Sequence, residues 1–307
     1  MKSKLLLLSS IFMLSVTIAN AQAWRRSRHE VQMGIGASSF FGDLGGSKTI
    51  GTHAFKDYNF KATRPTIMMG YKYMLTPAVS LKGSFITSYV SGDDAFSKEA
   101  VRHNRNLSFR SGLWELMASV ELYPFTEHVR HNYKVSGTWG SKKLTVSPYF
   151  VTGIGFTFFQ PKAKYNGEWV KLQPLGTEGQ GLAGRPDKYH RYTLAIPLGI
   201  GAKILIDKHW SIGIETSLRY TFTDYIDDVS TSYYLPNEIS TANGPVAGAL
   251  SDRALDPSLG YTGVKQYANG ANNYLQRGDP NYTDAYAFTI ISVHYRLIKG
   301  TKFIPRF

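Results

Sequence analysis

Three aspartates stand close together in the segment TDYIDDVS, at positions 224, 227 and 228. Carboxylate oxygens are ligands that calcium accepts, so this cluster could serve a cation at the rim of a fold. The spacing departs from the EF-hand pattern, and loop aspartates more often accept hydrogen bonds from nearby backbone N–H groups. The pattern therefore favours a loop-capping role for Asp224, Asp227 and Asp228, and we predict no metal site.

No other group of residues forms a recognisable catalytic motif. The segment GTEGQG at 176–181 lacks the Lys-Ser/Thr pair of a phosphate loop. The eight histidines are scattered, and the absence of cysteine excludes thiol catalysis and cysteine metal sites. We expect a non-enzymatic protein with no catalytic residues, no cofactor and no small-molecule substrate.

Charged residues instead alternate with apolar ones. In GLWELMASVELYPF, positions 112–125, Glu115 and Glu121 share a period of two with Met117. This period predicts a strand with one apolar and one polar face. In WSIGIETSLRYTFT, positions 210–223, Glu215 and Arg219 lie on the polar face, too far apart to touch without a neighbour between them.

The first residues predict export. Lys2 and Lys4 precede an apolar run over 5–18, and Ala19-Asn20-Ala21 forms a small-x-small cleavage site. This is the pattern of a secretory signal peptide, so we predict that residues 1–21 are removed, with cleavage after Ala23 as the alternative, and that 22–307 form the mature domain. The apolar run is too short to span a membrane comfortably, which disfavours a membrane anchor.

Eight segments of the mature chain show the strand period, at the length with which a tilted strand crosses a bilayer. They cover approximately 30–40, 64–74, 78–90, 112–124, 147–159, 192–206, 210–223 and 285–297. Pro197 predicts a bulge in the sixth.

The connections between these segments alternate in length. LTPA and DKH are tight turns, whereas the connections 41–63, 91–111, 160–191 and 224–284 are long. The pattern predicts an all-β fold, an eight-stranded antiparallel up-and-down transmembrane β-barrel with long extracellular loops and periplasmic termini.

A soluble β-sandwich or lipocalin-like barrel is the competing architecture, with its apolar faces pointing inward. The exported address and the aromatic residues that end the apolar faces favour a barrel in the cell outer membrane, in contact with its lipids. These aromatic residues are Tyr73, Tyr123, Trp210, Tyr220 and Tyr295.

The polar faces would then point into a lumen just wide enough for side chains. A single buried charge is costly, whereas a paired one is tolerable. The sequence therefore predicts a lumen charge network of Lys72, Lys82, Glu115, Glu121, Lys203, Glu215, Arg219 and Arg296. A structural ion-pair plug is the favoured interpretation, and a proton relay or a narrow pore is the alternative.

Positive charge gathers at the predicted periplasmic end, on the N-terminal arm, the C-terminal tail and the turn 125–146. Attraction to membrane phosphates and docking of an acidic periplasmic protein both fit this charge, whereas an exported barrel does not meet nucleic acid. The turn is about twenty residues long where tight turns suffice elsewhere, so we predict a docking surface. Its predicted residues are Arg25, Arg26, Arg28, Arg130, Tyr133, Lys134, Trp139, Lys142 and Lys143.

Several segments together resemble one family. They are GASSFFGDLGG (36–46), RPTIMMGYKYMLTPAVSLKGSF (64–85), RNLSFRSGLWELMASVELYPF (105–125), LQPLGTEGQG (172–181), IPLGIGAK (196–203) and TDYIDDVSTSY (223–233). In this order they resemble the PorG-type outer-membrane proteins, which are barrel components of the type IX secretion system, and residues 234–284 lie outside the likeness.

The resemblance implies a non-enzymatic barrel subunit that anchors or organises the periplasmic ring of that machine, which is built from a lipoprotein and its partner. Such rings serve protein export and, in some bacteria, gliding. Two rival functions remain at this stage. One is a generic small barrel, acting as a structural anchor or narrow pore, and the other is a lipid-modifying barrel enzyme.

Overall fold

Eight long strands form the body of the protein. The computed structural model describes residues 28–44, 63–97, 99–125, 145–260, 262–266 and 272–298, so the predicted signal peptide lies outside the described residues. The long strands are His29–Phe41 (β1), Arg64–Thr76 (β2), Val79–Asp93 (β3), Ser108–Leu122 (β4), Thr145–Tyr165 (β5), Tyr192–Leu205 (β7), Trp210–Thr221 (β8) and Ala285–Leu297 (β11). Three short strands are Glu168–Lys171 (β6), Val264–Gln266 (β9) and Asn272–Tyr274 (β10).

The long strands close into a barrel. Each pairs antiparallel with the long strands before and after it in the chain, and β11 pairs with β1 to complete the ring. In that closing pair Glu30 lies opposite Arg296, and across β1 and β2 it lies opposite Lys72. The predicted eight-stranded up-and-down barrel is therefore confirmed.

The strand at Pro197 differs from the prediction. Pro197 lies opposite Arg219 of β8 in an unbroken register. On the other side the pairing with β5 pauses between Leu198 and Ala195 and resumes in the same register. The predicted bulge is wrong. Proline lacks the N–H that would bond to β5, so the hydrogen bonding is interrupted there, but no extra residue is inserted and the register is kept.

The described parts of the outer loops contain three short α-helices: Ala100–Arg105 (α1), Pro236–Asn243 (α2) and Pro245–Ser251 (α3). Proline at the first helical position suits α2 and α3, because the first turn leaves its N–H groups unbonded. Ile239, Ala247 and Leu250 are buried, so these helices pack onto the rest of the protein. Among the described residues, no helix combines the length and the apolar character needed to cross a membrane.

The outside of the barrel is apolar. Ile35, Leu116 and Ile154, on three different strands, are 72%, 65% and 62% exposed. A soluble barrel would point such side chains inward, because exposed apolar surface on this scale is costly in water. The protein is therefore an integral outer-membrane barrel.

The predicted aromatic ends of the apolar faces are mostly correct. Trp210, Tyr220 and Tyr295 are exposed at strand ends, where a membrane interface favours them. The prediction for Tyr123 is wrong: its side chain is buried, and its hydroxyl donates to Glu121. Alternation along the chain gives the reason, since Tyr123 stands two residues after the inward-pointing Glu121.

Leu116→Arg places a charge on the lipid-facing side of β4, and we expect it to lower the free energy of unfolding by about 2–4 kcal/mol. The matched control is Leu255→Arg, at a similarly exposed leucine of the outer loops, which should change stability little. Urea unfolding in lipid vesicles, followed by heat-modifiable gel migration, measures both variants. Equal effects at the two positions would contradict the lipid-facing assignment.

Candidate functional site

Glu30, near the start of β1, is the centre of the lower lumen. Its carboxylate lies 3.0 Å from Lys72 Nζ and 3.1 Å from Lys203 Nζ. His294 Nδ1 lies 2.8 Å from one carboxylate oxygen, and Arg296 Nη2 lies 3.7 Å from the other. One acid thus holds groups from three other strands, β2, β7 and β11.

A second acid, Glu121, continues the network. It bridges Lys72 and Lys82, at 3.0 and 3.1 Å from their ammonium nitrogens. Lys82 reaches on to Glu215 of β8, with its Nζ 2.6 Å from Oε2. Tyr149 of β5 donates its hydroxyl to the same oxygen of Glu215 at 3.0 Å. Acids and bases therefore alternate across the lumen.

The upper part of the lumen is built on Glu115 and Arg219. The guanidinium of Arg219 lies 3.4 Å from Glu115 Oε1, and Tyr286 donates to Oε2 at 2.7 Å. Arg219 also donates to the carbonyl of Ser217 at 2.8 Å, while the Ser217 hydroxyl lies 3.5 Å from Glu215. Ser217 is thus the neighbour that connects Glu215 with Arg219, which do not contact each other.

All eight residues of the predicted lumen charge network are brought together, and each side chain is at most 5% exposed. Sequence reasoning missed Glu30 as the organising acid, as well as the tyrosine partners. The signal for Glu30 was present, because it begins the alternation Glu30-Val31-Gln32-Met33 in the first strand. Which acid becomes the centre depends on strand register, and a single strand sequence does not specify its register.

The network fills the lumen with bonded side chains. The backbone is shaped to fit it: a Cβ at Gly201 would lie 2.3 Å from the ring of Tyr149, so only glycine leaves room for that ring. A water-filled channel would leave the charged side chains accessible, which they are not. Chemically, the arrangement suits a structural plug.

Glu30→Gln removes the carboxylate that Lys72, Lys203 and Arg296 share. We expect it to lower the free energy of unfolding by about 3–5 kcal/mol, because the three cations stay buried without their anionic partner. The control is Glu168→Gln on the exposed β5–β6 hairpin, expected to be near neutral. Adding Lys203→Met to Glu30→Gln should restore part of the loss. Unfolding in urea measures the three variants, and a near-neutral Glu30→Gln would contradict the organising role of Glu30.

Two buried arginines, Arg105 and Arg277, connect the outer loops above the lumen. Arg105, at the end of α1, binds both oxygens of Asp94 at 2.7 and 2.9 Å and donates to the carbonyls of Asp43 and Arg277. Arg277 in turn lies 3.1 Å from Glu178. Bidentate guanidinium–carboxylate pairing fixes orientation as well as distance. Segments far apart in the chain are thereby locked over the barrel mouth.

The aspartates of TDYIDDVS lie in this outer region, and two of them brace loops. Asp227 accepts hydrogen bonds from the backbone N–H groups of Leu44 and Val229, at 3.1 and 3.0 Å. Asp228 accepts from the hydroxyls of Thr177 and Tyr189. Burial raises the pKa of Asp228 to about 6.

Asp224 sits in a group of carboxyls with the buried Asp227 and Asp284 and the half-buried Asp43. Burial, with repulsion from Asp227 and Asp43, raises the pKa of Asp224 to about 9. The pKa values of the other three are also raised, first by burial and then by their acidic neighbours. At least one member of this group is therefore protonated at neutral pH.

A carboxyl with a raised pKa stabilises the fold when protonated, so its contribution is complete below the ordinary value of 3.8 and is lost as the pH rises through about 9. We expect the outer loops to exchange amide hydrogens faster, after correction for intrinsic rates, at pH 9 than at pH 6. Asp224→Asn should flatten this dependence, and Asp187→Asn, at an exposed loop position, should retain it. An unchanged profile in Asp224→Asn would contradict the assignment.

The predicted docking surface stays a prediction. Arg25, Arg26, Arg130, Tyr133, Lys134, Trp139, Lys142 and Lys143 lie outside the described residues. Arg28 is described, and its guanidinium donates to the hydroxyl of Tyr73 at 3.0 Å, close to the periplasmic end of β2.

Comparisons with known proteins find similar solved structures and one matching family model. No curated protein matches the sequence. Among solved structures, the chain is similar to Ail, the attachment invasion locus protein of Yersinia pestis, with 9% identity, a TM-score of 0.37 and coverage of 88% of this chain and 99% of that one. It is also similar to Neisserial surface protein A, with 7% identity, a TM-score of 0.37 and coverage of 87% and 96%.

A third similar structure is the N-terminal β-barrel domain of Pseudomonas aeruginosa OprF, with 8% identity, a TM-score of 0.34 and coverage of 88% of this chain and 98% of that one. The family model described as domain of unknown function DUF6089 matches residues 4–238, which is most of the chain. This outer-membrane barrel belongs to the DUF6089 family.

Proposed function

We propose that this protein is a non-enzymatic outer-membrane subunit of a type IX protein secretion machine, which anchors or organises the machine's periplasmic ring. Its partners would be the ring lipoprotein and the protein that accompanies it. The observation that carries the proposal is the filled lumen: a barrel whose interior is a closed ion-pair network suits an anchor rather than a passage.

The outer loops add to this argument. Phe40, Leu44, Phe109 and Ile226 belong to one buried apolar cluster that joins the upper barrel to the loops above it. Together with the pairs of Arg105 and Arg277, this cluster covers the mouth. A secreted polypeptide would have to displace both layers, which favours a role beside the export route.

The choice of this machine, rather than any other periplasmic partner, rests on the likeness of the sequence to PorG-type proteins. The basic residues of the periplasmic end agree with it, because a ring protein with an acidic surface would be steered toward them. Tyr133 and Trp139 would supply the desolvated anchors of such a contact.

The decisive variant replaces residues 126–146 by a four-residue turn. We expect it to insert normally, with unchanged heat-modifiable migration, but to lose most of the ring subunits that co-purify with the intact barrel from outer membranes. A matched control neutralises outer-loop cations instead, through Lys188→Gln and Arg253→Gln, and should retain the ring. Unchanged yield with the shortened turn would exclude it as the docking surface.

A generic barrel that acts as a narrow pore is the second candidate, and the buried charges of the lumen argue against it. Planar-bilayer recording separates the two functions. The intact protein should give no steady conductance, and Glu30→Gln should not open a regular channel. Stable, ion-selective steps from the intact protein would favour the pore.

A further inference from the structure

Four cations lie side by side on the outer part of strands β4, β5 and β6. Arg110 of β4 stands directly opposite Lys162 of β5, and Lys162 stands opposite Lys171 of β6. Lys164 follows two residues after Lys162 and is paired with Trp169. Directly opposed residues and residues two apart share a face, so Arg110, Lys162, Lys164, Lys171 and Trp169 form one surface, here called the outer basic patch.

The patch lies on the lipid-facing side of the barrel. Along β4, Arg110 has the same parity as Trp114 and Leu116, which are exposed on the apolar outside. Arg110 precedes Trp114 by four positions, which corresponds to about 13 Å along a strand. The cations therefore begin just beyond the aromatic end of the apolar band, on the side of the long outer loops, where lipid headgroups lie.

Aromatic rings hold the patch in position. The guanidinium carbon of Arg110 lies 4.0 Å from the centre of the Tyr89 ring and 5.9 Å from that of Trp169. Nearby, just before β7, the guanidinium carbon of Arg191 lies 5.3 Å from the centre of the Phe158 ring. Stacking keeps a guanidinium flat against the barrel with its edge free to donate hydrogen bonds.

The patch has no anionic counterpart of its own. None of its four cations forms an ion pair with an acidic side chain among the residues that the structure describes. Glu168 is near in sequence, but it alternates with Trp169 and so points to the other face of β6. Three like charges directly opposite one another across neighbouring strands are destabilising unless an anion joins them.

We propose that the outer basic patch binds the phosphate groups of a phosphorylated glycolipid of the outer leaflet, of the lipid A class. Arg110, Lys162 and Lys171 contact the phosphate, Lys164 reaches a second anionic group, and Trp169 lies against the sugar. The acyl chains then run down the apolar face past Trp114. Guanidinium and ammonium groups in one row suit a phosphate that carries more than one charge.

The test uses the full mature chain in detergent, with defined lipids added and counted by native mass spectrometry. We expect retention of bisphosphorylated lipid A by the unmodified protein and an at least tenfold weaker retention by the triple variant Arg110→Gln, Lys162→Gln, Lys171→Gln. The control neutralises three outer-loop cations away from the patch, through Lys188→Gln, Arg253→Gln and Lys265→Gln, and should retain the lipid.

Two further lipids identify what is recognised. Dephosphorylated lipid A bound as tightly as the bisphosphorylated form would overturn the phosphate contact. Phosphatidylglycerol bound equally well would overturn the glycolipid as the ligand. Heat-modifiable migration reports whether each variant is folded. Should the triple variant fail to fold, Lys171→Glu at an exposed position of β6 replaces it, and undiminished binding by that variant would contradict the proposal. None of these outcomes depends on the secretion role.

Discussion

The fold depends on burying a large set of full charges inside a narrow barrel. Four acids and five permanent cations share the lumen, and desolvating any one alone would cost several kcal/mol. The solution is pairing across strands, in which each carboxylate touches at least one cation from another strand and Lys72 and Lys82 each bridge two carboxylates. Because all eight strands contribute a partner, an error in the register of one strand would leave charges unpaired in several others. The network therefore specifies the register of the whole barrel, besides filling it.

The outer loops repeat the same principle in a different form. Arg105 and Arg277 are buried guanidinium groups that bind carboxylates and backbone carbonyls from segments distant in sequence. Buried acids nearby accept hydrogen bonds from backbone N–H groups, and protonation of at least one of them relieves their mutual repulsion. The result is a lid whose order depends on buried polar contacts as well as on apolar packing.

These two closed layers leave the surfaces of the barrel as the parts that other molecules can reach. A barrel that is plugged at its centre and covered at its mouth presents a lipid-facing band, outer loops and a periplasmic rim. A function that requires passage through the lumen would have to break buried ion pairs. Anchoring, docking and lipid contact leave the interior intact. The interior is thus the scaffold of the protein, and the lipid-facing band is the surface in contact with the membrane.

The sequence by itself determined the architecture and the polarity of each face. Alternation with a period of two reports which side chains share a face, so the strand number, the loop pattern and the predicted lumen residues could be read directly, as at Glu115, Glu121 and Glu215. Only the tertiary structure decided the pairing. Contacts between strands depend on register and closure, which made Glu30 the centre of the lumen and placed Tyr123 beside Glu121. The same holds for the outer loops, where buried aspartates and helices over 236–251 acquire their roles only once distant segments pack together.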